Sequence, residues 1–147
     1  MNKNEAMLHL ETSLEKASDD KKLDKLVKEI STNLVRVYMS VANEHQDVGN
    51  FGEALQYFEK CQDVAKRAHD EEIEADCYQR IGLIYHLLGH YDESIEYTTK
   101  FHQLCESQKS KFTNEHEKRH NSERLIQAHK QLAETYVKDP NKLSMAI

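Results

Sequence analysis

Proline occurs once in 147 residues and glycine four times, a scarcity that favours helix over a turn-rich sheet or a disordered chain. Cysteine occurs three times, an odd number that suits a reducing compartment better than a disulfide framework. No apolar run approaches the length of a membrane span, and the opening Met1-Asn2-Lys3-Asn4-Glu5 lacks the character of a signal peptide. Basic residues number 20 against 26 acidic ones, and the net charge of −6 argues against generic nucleic-acid binding, while leaving room for a local basic face. A phosphate loop, a nucleophile elbow and a paired-carboxylate motif are all missing. These absences predict a soluble, cytoplasmic helical protein that is not an enzyme and uses no cofactor.

What the chain does contain is a repeat. Forty residues after Tyr38, Val41, Ala42, Gly49, Phe51, Ala54, Leu55 and Tyr57 stand Tyr78, Ile81, Gly82, Gly89, Tyr91, Ser94, Ile95 and Tyr97. Self-similarity at one fixed period marks a stack of like units. Each unit reads as two antiparallel helices. Ala42 and Gly82 are small where a second helix crosses, and Ala54 and Ser94 match them on that second helix. Tyr38, Tyr78 and Tyr85 fill the space beside the crossing, and Phe51 and Tyr91 pack under the turn. Gly49 and Gly89 end the first helices, where a left-handed conformation is easiest for glycine.

The flanking segments continue the pattern. Asn4-Glu5-Ala6-Met7 answers Gly52-Glu53-Ala54-Leu55, with Leu10, Leu14 and Ala17 extending the stripe at helical spacing. Asp19 or Asp20 is suited to cap the next helix, expected from about Lys22 to Val48, with Ser31-Thr32-Asn33 as its weakest point. The second helix of that unit is expected over Phe51 to His69. Acidic Asp70-Glu71-Glu72 then opens the helix carrying Tyr78 and Tyr85, and the pair ends near Cys105. Residues 106–122 are polar and read either as a helix extension plus loop or as an inserted connection. Leu125, Ala128, Leu132, Ala133 and Tyr136 restart the first-helix pattern. Asp139-Pro140 turns the chain toward Met145-Ala146-Ile147, the opening of another second helix. The organisation predicted is one helical domain over 1–147. It comprises a partial repeat (1–20), repeats over 22–69 and 71–105, the polar connection (106–122) and a partial repeat (123–147).

Two expectations concern the ends. The stripe of Met7, Leu10 and Leu14 has no preceding first helix to cover it, and Leu132, Tyr136 and Met145 lack the rest of theirs. The chain therefore reads as a segment of a longer array, its terminal faces covered by further repeats, self-association or assembly neighbours.

Metal chemistry has only a thin basis. His86 and His90, and His116 and His120, stand four apart, as ligands on one helix face can, but a closed zinc site needs four ligands and no cysteine is near. No metal is expected. Cys61, Cys77 and Cys105 fall at packing positions, where buried thiols act as small apolar groups.

The unit Tyr78-x-x-Ile81-Gly82-x-x-Tyr85, followed by Gly89-His90-Tyr91-Asp92-Glu93-Ser94, resembles the tetratricopeptide repeat in a longer, forty-residue form. The resemblance implies an all-α, right-handed αα superhelix of about six helices, and a protein-binding groove on the inner face of the stacked first helices. By the spacing of that repeat, the groove presents Arg36, Met39, Asn43 and Gln46 from one helix. The next supplies Asp76, Gln79, Leu83 and His86, with Arg80 near the rim and Lys130 and Glu134 from the last. Chaperone-binding members grip a terminal carboxylate here with lysine, asparagine and arginine. Asn43 matches, but Met39 replaces the lysine and Leu83 interrupts the polar line. A mixed groove of this kind suits an extended segment or a helix of another protein.

A narrower resemblance rests on Glu74-Ala75-x-x-Tyr78-x-x-x-Gly82-Leu83-x-Tyr85 and on Phe101-His102-Gln103-Leu104, continuing to Glu134-Thr135-Tyr136 and Ala146-Ile147. These residues are similar to the ciliary and flagellar family of tetratricopeptide repeat protein 29. That similarity implies a non-enzymatic scaffold of the axoneme, associated with dynein-driven motility, with axonemal or dynein-associated proteins as partners. The alternative is a cytosolic co-chaperone or signalling adaptor that binds peptide segments in the groove.

Overall fold

The computed structural model describes residues 2–18, 23–139 and 141. The described residues form six helices and no strand: α1 (Lys3–Ser18), α2 (Asp24–Asp47), α3 (Phe51–Arg67), α4 (Glu71–Leu87), α5 (Tyr91–Gln108) and α6 (Glu115–Lys138). Asp19, Asp20, Pro140 and Met145-Ala146-Ile147, invoked above as cap, turn and further helix, lie outside the described residues.

Local chemistry explains the boundaries. The side-chain oxygen of Asn2 accepts from the Glu5 N–H at 2.8 Å, that of Asp70 from Ile73 at 3.2 Å, and that of Asn114 from Glu117 at 2.8 Å. Each satisfies one donor that the first turn of a helix leaves unpaired. At the other ends, Gly49 and Gly89 take φ of 82° and 78°, and the following N–H groups of Asn50 and His90 return to His45 and Tyr85 carbonyls. The turn after α3 has the same bonding, from Asp70 N–H to the Ala65 carbonyl, with His69 at φ 54° in the glycine position.

The chain forms two compact units that divide inside α4, between Cys77 and Tyr78. In the first, α1 and α3 both pack on α2. Its core is apolar: Met7, Leu14, Leu34, Val35, Tyr38, Val41, Cys61, Val64 and Cys77 are buried together, with Leu10 and Met39 packed against them. This corrects the expectation for the amino-terminal stripe, since Met7 and Leu14 are covered within the chain. A second-type helix has two neighbours in a repeat stack, and α2 alone is enough to cover the stripe. Hydrogen bonding between the Tyr38 hydroxyl and the Glu11 carboxylate, and an ion pair of Lys3 with Glu44, tie α1 to α2. Burial and that Glu11 bond push the Tyr38 phenol well up. The apolar residue of α1 left outside is Leu8, 64% exposed. Residues Ser31-Thr32-Asn33 do not interrupt α2.

The second unit packs α6 against α5, and many of its buried groups are polar. Gly82 is fully buried at the α4–α5 crossing, and its carbonyl accepts from the Ser94 hydroxyl at 2.8 Å. Residues 106–122 are shared among the last turn of α5, the turn over 109–114 and the first two turns of α6. On α6, Leu132 and Tyr136 are half-buried, while Ala133 is exposed along with Ile126 and Val137.

Candidate functional site

The groove residues divide between the units. Arg36, Met39, Asn43 and Gln46 run along one stripe of α2 in the first unit, which also holds Asp76. Arg36 is exposed, Asn43 and Asp76 are half-buried, and Met39 leans on the core. The side-chain oxygen of Gln46 is buried without a hydrogen-bond partner among the described residues.

In the second unit the structure brings a subset together. Gln79, Arg80 and Leu83 of α4 face Gln127, Lys130, Gln131 and Glu134 of α6 around an open cleft of about 310 Å³. Two cations, one carboxylate and three side-chain amides border it, with Leu83 as the apolar contribution. Such a lining can hydrogen-bond a peptide backbone and one acidic or basic side chain. Its lining holds no serine, cysteine or histidine.

His86 has a different position from that expected. Its Nδ1 lies 3.0 Å from the Thr135 hydroxyl and its ring meets Tyr91 edge-on at 5.8 Å, so it is held in the packing of α4 on α6. Thr135 also donates to the Gln131 carbonyl at 2.8 Å and sits 3.4 Å from the Ser94 hydroxyl. Gln131 donates to Thr98 Oγ1 at 2.8 Å and reaches the Gln79 carbonyl at 3.5 Å. This network builds the floor under the cleft. Sequence reasoning missed Gln127, Gln131 and Thr135 because they are polar, and the inward face of α6 was sought among its apolar residues. The available signal was the stripe that Gln131 and Thr135 share with Ala128.

The histidines do not assemble into a ligand set. His116 and His120 are exposed on α6, and no three His, Cys, Asp or Glu side chains among the described residues converge to hold a metal. Cys61, Cys77 and Cys105 are free and buried. A thiol–thiol hydrogen bond with Cys61, together with burial, pushes the Cys77 thiol far up, which keeps it protonated. No described helix is long and apolar enough to cross a membrane.

Residues 33–107 match the model of the tetratricopeptide repeat. The chain belongs to the tetratricopeptide repeat family. That match spans both helical hairpins, α2–α3 and α4–α5, and repeats of this family are non-catalytic modules that bind other proteins. Over 77 residues the chain is 30% identical to tetratricopeptide repeat protein 29 of Trypanosoma brucei brucei (strain 927/4 GUTat10.1), covering 52% of this chain. It spans 16% of that protein's length. The Phe101-His102-Gln103-Leu104 run has a packing role in this tetratricopeptide repeat chain. Phe101 is fully buried under the Arg124 guanidinium, 5.5 Å from its ring, and His102 meets His129 edge-on at 4.6 Å.

Proposed function

We propose that this chain is a non-enzymatic scaffold of the ciliary or flagellar axoneme, holding other proteins in an assembly associated with dynein-driven motility. The observation that carries the reading is the similarity to tetratricopeptide repeat protein 29 across half of the chain. The polar cleft between α4 and α6 supports the coarser part, because it offers amides, two cations and a carboxylate to a protein segment. In this role Arg80 and Lys130 meet an acidic side chain or terminus of the partner, Glu134 meets a donor, and Gln79 and Gln127 bond its backbone. Arg36, Met39, Asn43 and Gln46 offer a stripe of their own on the first unit.

The test is localisation of the tagged full-length protein, followed by extraction of demembranated axonemes. A structural component stays with the salt-resistant or dynein-containing fraction. A protein that fills the cytoplasm and washes out with detergent is instead the cytosolic adaptor, and the axonemal reading fails.

A further inference from the structure

α2 begins five turns before the Ala42 crossing, and its middle turns border a small cavity in the first unit. Ser31, Thr32 and Val35 border it from α2, Ala65 and Ala68 from the end of α3, and Asp70 and Ile73 from the start of α4. Its volume is about 160 Å³. That is too small for most cofactors, whose sites span roughly 300–1,000 Å³, and suited to one aliphatic side chain.

Two observations mark it as more than a packing defect. Ser31 is 1% exposed, yet its hydroxyl has no hydrogen-bond partner among the described residues. A buried hydroxyl left unbonded is costly, so a partner from outside would recover that loss. Arg36, on the border of the same cavity, is exposed and makes no ion pair among the described residues. The acidic group on the border, Asp70, already accepts the Ile73 N–H in capping α4. The Asp70 carboxylate keeps its charge but is committed to the first turn of α4, so Arg36 is the charged group of the border without a partner among the described residues.

We propose that this cavity is an anchor pocket for a partner segment in which a leucine or isoleucine adjoins an acidic residue. The aliphatic side chain enters between Val35, Ala65, Ala68 and Ile73. A backbone group of the segment bonds the Ser31 hydroxyl, and the neighbouring carboxylate meets the Arg36 guanidinium. The proposal rests on the protein-binding role of the family and not on the axonemal reading. Its test uses the chain and a peptide alone, so either reading can fail without the other.

The probe is a capped peptide with leucine-glutamate at its centre between glycine-serine flanks, titrated into the methyl-labelled 147-residue chain. Saturable shifts of the Val35 and Ile73 methyl resonances are expected. Replacing the leucine of the peptide by alanine should abolish saturation. Arg36→Glu, at an exposed position that leaves folding intact, should weaken binding about fivefold, the scale of a surface ion pair at the upper end of its range. Ala68→Leu, which fills the cavity, should remove the shifts. Absence of saturable shifts at Val35 and Ile73, or equal binding of the alanine peptide, overturns the pocket. Affinity unchanged by Arg36→Glu overturns the acidic specificity.

Discussion

The two helix crossings at Ala42 and Gly82 occupy the same place in their repeats and are built from different chemistry. At the first, Ala42, Ala54 and Phe58 are each 0% exposed and make an apolar contact. At the second, the equivalent positions are Gly82, Ser94 and Thr98, and the contact is polar. Ser94 bonds the Gly82 carbonyl, Thr98 accepts from Gln131, and Thr135 links Gln131, His86 and Ser94. An apolar crossing tolerates whatever fills its volume, whereas a hydrogen-bonded one is specific because each partner must be present. The polar crossing is the one that forms the floor of the α4–α6 cleft. The more demanding solution therefore stands under the cleft proposed to hold a partner segment.

The largest expected effect breaks the second crossing by volume. A Cβ on Gly82 would lie 2.6 Å from Thr98 Oγ1, 3.0 Å from Gln131 Nε2 and 3.3 Å from the Thr98 backbone nitrogen. Gly82→Leu should lose about 3 kcal/mol of stability, in the upper range for overpacked cores. Gly82→Ala should lose about 1–2 kcal/mol. Adding Thr98→Ala to Gly82→Ala should return part of that loss, because the nearest clash disappears. Urea unfolding of the three variants measures this, and an unchanged midpoint for Gly82→Leu would disprove the assigned contact.

A smaller effect tests the bonding itself. Gln131→Leu removes the donor to Thr98 and to the Gln79 carbonyl while keeping the volume similar. About 1–3 kcal/mol should be lost, and hydrogen exchange should quicken in α6 while the first unit stays protected. Loss spread evenly over both units would contradict a crossing-specific network.

The smallest effect concerns what the two repeats share. Tyr38 and Tyr57 stand 6.1 Å apart with Lys60 5.1 Å from the Tyr57 ring, and Tyr78 and Tyr97 stand 6.1 Å apart with Lys100 4.8 Å from the Tyr97 ring. Lys60→Ala and Lys100→Ala should each cost about 0.5–1 kcal/mol, the worth of an exposed cation–π contact. Thermal unfolding should place the two variants close together, and a clear inequality would show that the crossings also differ at their edges.

The sequence by itself determined the helical class, the forty-residue period, the crossing positions and the two glycine turns. These rest on short-range chemistry: apolar spacing, small residues and positive φ all leave marks within one unit. Residues 115–122 carried no such mark, because the buried face of α6 sets Asn121, Arg124, Gln131 and Thr135 beside Leu125 and Ala128, and its apolar residues begin only at Leu125. It is stabilised instead by bonds to distant backbone, as when Asn121 donates to the Cys105 carbonyl at 3.0 Å. The helical spacing of Arg36, Met39, Asn43 and Gln46 was legible, and α2 carries all four. Which of them meet a second helix was decided only when α6 came to face Gln79, Arg80 and Leu83. Cover for Met7 and Leu14, the seat of His86 and the unbonded Ser31 hydroxyl were likewise products of tertiary packing. Each depends on groups tens of residues apart in the chain, and no local pattern records where such groups will meet.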